Sequence, residues 1–285
     1  MPPFIRNCIT VGAMLVCGAP ALAFAQGRNM EELTRRSGLW EQVGQLRVQM
    51  VGGVMEARRQ ATAANQNLMD DATFARLSGA IDRSFSPEVL RETMTLFMEE
   101  NLTPADEADV MRWLSSDLGQ RLTRMEVEAG DIKELQKAEK EAPRLRAALS
   151  KARLEKFQRL AVALDAGNTT ATLTIHLTSA IIFAIALVTP DTDADLAANE
   201  IRRRMETRRP QMVQFFGERA LQTYSYVYRN ANDAQVETYV KFAETAAARR
   251  YHAAGIKSLD QTISQAAIAM GQELRAPAQA PKNPS

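Results

Sequence analysis

The chain's two histidines, His176 and His252, are the first side chains to weigh for chemistry. Neither belongs to an H-x-x-x-H or H-E-x-x-H pair, the spacing that sets two metal ligands on one helix face. His176 lies in an apolar run and is expected to be a hydrogen-bonded core histidine. Asp191-Thr192-Asp193-Ala194-Asp195 supplies oxygen ligands at alternate positions, as a calcium loop does. Such a loop needs Gly at its sixth position and Glu at its twelfth, where this chain has Leu196 and Arg202. The segment is therefore expected to start a helix, with Thr192 as cap and Asp195 closing a capping box. Arg202, Arg203, Arg204, Arg208 and Arg209 form a basic cluster toward the end of that helix. They are candidates for binding an anionic envelope polymer or lipid head group, although a helix C-terminus favours cations on dipole grounds alone. Ser115 and Ser116 lack a nucleophile elbow, and the chain has neither a P-loop nor a dinucleotide fingerprint. No catalytic residue, cofactor or metal is assigned from these patterns.

Composition narrows the partners. Lys and Arg number 35 against 34 Asp and Glu, a net charge of +1, which gives no general attraction to nucleic acid. With 46% hydrophobic and 24% charged residues the chain is ordinary globular material, neither collagen-like nor multi-spanning. Residues 1–25 read as a secretory signal peptide: Arg6 supplies the positive region, Ile9 to Leu22 the apolar core, and Ala23-Phe24-Ala25 the cleavage pattern. Val16 before Cys17 disfavours lipidation at that cysteine, since a small residue is expected there. Cleavage after Ala25 would send the protein to the periplasm and remove both cysteines, Cys8 and Cys17, excluding thiol chemistry.

Helices must position whatever site exists. Val89, Leu90, Thr93, Met94, Phe97 and Met98 make one apolar stripe behind the Ser86-Pro87 start. Met111, Leu114, Leu118, Leu122 and Met125 make another behind Thr103-Pro104-Ala105-Asp106. At an offset of 129 residues, Trp113 falls on Phe242, Gly38 on Gly167, Thr103 on Asn232 and Arg121 on Arg250. The second stripe becomes Val240, Ala243, Ala247, Tyr251 and Ala254. Leu221, Tyr224, Val227 and Tyr228 echo Arg91, Met94, Phe97 and Met98 with a shift of about one residue. The expected fold is all-α, two related bundles over residues 26–140 and 141–272. A charged helical connector, interrupted at Pro143, joins them, and an Ala/Pro-rich disordered tail over 273–285 follows.

Residues 173–188 are the most apolar stretch outside the leader. Sixteen residues with Thr174, His176, Thr178 and Ser179 among them fall short of the roughly 20 that span a bilayer. The counterpart at offset 129, residues 44–59, carries Arg47, Glu56, Arg58 and Arg59 and cannot span one. A buried helix is favoured, and membrane contact is the lesser expectation.

Trp113-Leu114-Ser115-Ser116-Asp117-Leu118-Gly119-Gln120-Arg121, following Thr103-Pro104, resembles the signature helix of domain of unknown function 2059. Members are exported bacterial proteins with an aromatic pair, a Ser-Pro-x-Gly turn and a following base. Ser116, Gly119 and Arg121 match, while Asp117 replaces the proline and Leu114 the second aromatic. The second copy, residues 242–251, keeps Phe242 and the base Arg250 and has lost the glycine. The resemblance implies a periplasmic all-helical protein and no particular activity, with Trp113, Ser116, Gly119, Arg121, Phe242 and Arg250 in structural roles. The functional expectation is a non-catalytic binding or protein-interaction role in the cell envelope, with an envelope protein or a second copy as partner. The alternatives are an envelope factor tethered by residues 173–188 and a carboxylate-dependent envelope hydrolase.

Overall fold

The computed structural model describes residues 29–275 apart from Asn65 and Asn67. The expected signal peptide with its two cysteines, and residues 276–285 of the expected tail, lie outside the described residues.

The fold is all-α, with thirteen helices among the described residues. Six of them, α1 (Met30–Arg36), α2 (Leu39–Ala63), α3 (Asp71–Ser84), α4 (Pro87–Asn101), α5 (Pro104–Leu114) and α6 (Asp117–Ala129), precede the connector α7 (Ile132–Ala147). Six more follow: α8 (Lys151–Ala163), α9 (Ala166–Val188), α10 (Ala194–Thr207), α11 (Arg209–Val227), α12 (Asp233–Ala243) and α13 (Ala246–Arg275). Local sequence sets most of the boundaries. Ser86, Thr103, Ser116 and Asn232 each accept a hydrogen bond from the backbone N–H three residues on, and Pro87 and Pro104 stand where a missing N–H costs nothing.

The connector breaks at another place than its proline suggested. α7 runs through Pro143, and the chain turns instead at 148–150, where Ser150 caps α8. Proline removes the bond to the carbonyl of Glu139, but both residues are exposed and water can take the vacated acceptor. At the other end of the chain, α13 continues through Arg275.

The starts of α5 and α12 lie 129 residues apart, as do those of α6 and α13. Their caps correspond too: Ser116 accepts from the N–H of Gly119, and Thr245 from that of Ala248. Upstream the spacing drifts. The left-handed residue that turns α1 into α2 is Gly38, with φ 68°, whereas between α8 and α9 it is Asp165, with φ 47°, rather than Gly167.

Neither half closes a core by itself. Leu33, Met50, Leu77 and Met94 share one apolar cluster with Ile181 of α9 and Met270 of α13. Leu122 of α6 joins Phe157, Tyr224, Tyr228 and Val240 in a second. The physical arrangement is an exchange: α13 packs on α3, α4 and α5, while α7 packs on α11. A third, smaller cluster holds α9, α10 and α11 together through Ile175, Met205 and Phe216. α9 is long and apolar enough to cross a membrane, yet 14 of its 23 residues are buried against neighbouring helices.

Candidate functional site

Two places in this frame gather polar side chains. The first is the junction where the halves meet. Trp113, at the end of α5, stacks on Phe242 at 4.5 Å and on Tyr239 at 5.6 Å, with near-parallel rings. One turn later the backbone of Gly119 passes so close to the carbonyl of Trp113 that a Cβ there would overlap it. Ser116 donates its hydroxyl to the same carbonyl and accepts from Gly119, which fixes the turn between α5 and α6. Arg121 donates to the carbonyl of Asn230 ahead of α12. Arg250 grips both carboxylate oxygens of buried Asp106 near the start of α5, at 2.6 and 2.9 Å. Each arginine thus ties its helix to the beginning of a helix in the other half. The Arg250 guanidinium, aided by the Thr103 hydroxyl, holds the Asp106 carboxyl below the usual carboxylate range.

Behind the stacked rings lies buried Glu126, which accepts from the Tyr228 hydroxyl. A cavity of about 20 Å³ touches Ser37, Thr123, Glu126, Tyr251 and His252, room for one water. Burial lowers the His252 imidazole to about 4 and pushes the Tyr228 and Tyr239 hydroxyls well above 10. These groups are held in their neutral forms, in a space too small for an organic ligand.

The second place is a groove between α9, α10 and α13, about 190 Å³ in volume. Ala180 and Phe183 from α9 and Ile263, Ala267 and Ile268 from α13 supply its apolar surface. Polar groups gather at its ends. At one end His176 pairs through Nδ1 with Asp260 of α13, and Arg202 of α10 donates to the side chain of Asn199. At the other end Arg275 reaches Asp195 at 3.2 Å and lies over the Phe183 ring at 5.9 Å. The lining is set by helical spacing: His176, Ser179, Ala180 and Phe183 fall on one face of α9, and Asp195, Asn199 and Arg202 on one face of α10.

The arginine cluster does not converge on one point. Arg209 is drawn inward to Glu206, Asn168 and Thr172, and Arg204 pairs with Glu200. Arg203 and Arg208 are exposed, and Arg202 faces the groove. His176 is half-buried and hydrogen-bonded, with Asp260 as partner. The 191–195 segment caps a helix with Asp193 rather than Thr192: Asp193 accepts from the N–H of Leu196 at 2.9 Å, while the Thr192 hydroxyl turns to the carbonyl of Pro190. Asp191, two residues ahead of this cap, adopts φ 53°. Among the described residues no group of three or more His, Cys, Asp or Glu side chains is placed to hold a metal.

Sequence reasoning singled out Arg202 and His176 but missed Phe183, Asn199, Ser264 and Ile268 as lining of the same groove, and Asp260 and Arg275 as the partners of His176 and Asp195 at its ends. The recurrence of Asp195, Asn199 and Arg202 at helical spacing could have found one wall. The opposite wall comes from α13, some sixty residues further along the chain, and nothing local announces it.

No family model matches the chain, and neither a curated protein nor a solved structure does.

Proposed function

We propose that the mature chain is an exported, non-catalytic binding protein of the cell envelope and that the groove between α9, α10 and α13 receives its ligand. The observation that carries this reading is the groove itself, an open trough whose apolar wall of Ala180, Phe183, Ile263, Ala267 and Ile268 is interspersed with the small hydroxyls of Ser179 and Ser264, with ionisable groups toward its ends. Ligand sites combine apolar walls with a few placed polar groups in this way. Export is supported by the positive, apolar and small-residue order of residues 1–25. A duplication behind the two halves is part of the same proposal. It is supported by the paired caps Thr103/Asn232 and Ser116/Thr245, by the reciprocal ties of Arg121 and Arg250, and by the stacking of Trp113 on Phe242. Kinship with domain of unknown function 2059 rests on Ser116, Gly119 and Arg121, whose roles here are to cap, to clear and to tie.

The test is ligand-observed NMR on the purified chain, residues 26–285, against a panel of small envelope metabolites and amphiphiles. Signals that broaden with the wild type and stay sharp with Ala267→Trp, which fills the groove, support the reading. Equal broadening with both proteins rejects it.

A further inference from the structure

The charges in the groove are unevenly compensated, and this decides what kind of ligand fits. Asp260 is engaged by His176, Asp195 by Arg275, and Glu206, close to the His176 end, by Arg209. Arg202 has a neutral partner instead, the side-chain oxygen of Asn199. Among the described residues no carboxylate lies within ion-pair distance of it, Glu206 one turn on acting only at longer range, and with one Nη2 proton given to Asn199 one edge of the planar fork keeps two N–H donors for a ligand. A guanidinium in that state is suited to a carboxylate, which it can meet through two parallel N–H donors. Arg203, Arg204 and Arg208 on the same end of α10 add positive potential around it.

The shape restricts the rest of the ligand. The lining runs from His176 to Phe183 on α9 and from Asp195 to Arg202 on α10, about 10 Å at 1.5 Å per residue. A volume of about 190 Å³ over that length makes a narrow slot, smaller than the roughly 300 Å³ at which drug-sized sites begin. Ala180, Ile263 and Ala267 line it without a hydrogen-bonding group on their side chains. At the end away from Arg202, the Arg275 side chain spans Asp195 and the Phe183 ring, both of which line the slot.

We propose that the groove binds a free medium-chain alkyl carboxylate, with the head group on Arg202 and the chain laid over Ala180, Ile263 and Ala267 toward the Arg275 end. This rests on the groove being the ligand site, and the experiment separates the two ideas. Octanoate, octan-1-ol and octylammonium, each below its aggregation limit, are titrated calorimetrically into the 26–285 chain and its Arg202→Gln, Arg202→Lys and Ala267→Trp variants. The expected result is octanoate binding that Arg202→Gln weakens at least tenfold, that Arg202→Lys partly restores, and that Ala267→Trp abolishes. Octan-1-ol should bind more weakly and be indifferent to Arg202→Gln. Octanoate affinity unchanged by Arg202→Gln, or octylammonium binding as tightly as octanoate, overturns the carboxylate assignment while leaving the groove as a site. Binding of none of the three by the wild type, or binding untouched by Ala267→Trp, overturns the groove reading together with it. Because Arg202 is exposed, its two variants are expected to melt with the wild type, and a melting scan on every variant, the half-buried Ala267→Trp included, shows that a lost signal is not a lost fold.

Discussion

At the junction, Trp113 lies flat against Tyr239 and Phe242, and the charged side chains around it close their own circuits: Arg250 with Asp106, Arg121 with a carbonyl, Glu126 with a tyrosine. In the groove, Phe183 is covered on one face by Arg275, Ile268 is 60% exposed, and the Arg202 guanidinium has a neutral amide as its hydrogen-bond partner, with Glu206 only at longer range. Both regions combine aromatic, aliphatic and arginine side chains. The junction spends them on one another, whereas the groove leaves an apolar surface and a cation turned to solvent. Residue type alone therefore does not distinguish a structural seam from a binding surface; what distinguishes them is whether the partners lie within the chain.

The sharpest way to break this contrast is Trp113→Ala. Removing a half-buried indole stacked on two rings should cost about 3 kcal/mol, at the low end for a large aromatic. Because each core draws helices from both halves, urea melting should remain a single transition displaced to lower denaturant. Two separated transitions would mean that the halves fold independently and that the seam matters less than its packing suggests.

Acid is the next probe. His252 falls from an unfolded value near 6.5 to about 4 in the folded protein because its half-buried ring is largely desolvated by its neighbours. Above the unfolded value both states are neutral and nothing is lost. Between roughly 6.5 and 4 the unfolded chain takes up the proton first, so stability declines as pH falls through that window, by about 2 to 3 kcal/mol at its lower limit. The difference between wild type and His252→Gln, measured by urea melts from pH 7 to 4, isolates this contribution from that of the carboxylates. A pH-independent difference would show the junction to be open to water, and the contrast with the groove would fail.

The smallest effect on stability belongs to the groove. Arg202→Gln should shift the unfolding free energy by no more than about 0.5 kcal/mol, since an exposed guanidinium held by a neutral amide contributes little. A larger loss would place Arg202 among the structural ties with Arg250 and remove the reason for reading it as a ligand group.

Much of the scaffold was legible because its signals are local. Ser86-Pro87 and Thr103-Pro104 announce helix starts within four residues, and the stripe ending in Met98 packs except for exposed Val89, while the one ending in Met125 is divided between α5 and α6. Much of residues 173–188 is buried, as the polar Thr174, His176, Thr178 and Ser179 within that short run led one to expect. Finer points misled where two local solutions differ by little. Asp193 and Thr192 are both good caps, and Asp193 takes the position just after Asp191 with its positive φ. Pro143 is tolerated inside α7 because its surroundings are wet.

From its sequence alone, then, this protein is determined to be helical and free of the usual metal and nucleotide motifs, and its caps and stripes fix where most helices begin and which faces they bury. Periodicity and capping act over one or two turns, so they are written in adjacent residues. Only the tertiary structure decided that α13 crosses onto the first half, that Trp113 meets Phe242, and that Arg202 shares a trough with Phe183 and Arg275. Those pairings join residues some 20 to 190 positions apart. They are settled by which apolar faces can cover one another and by which charges find a partner when they do, a matching that no single segment contains.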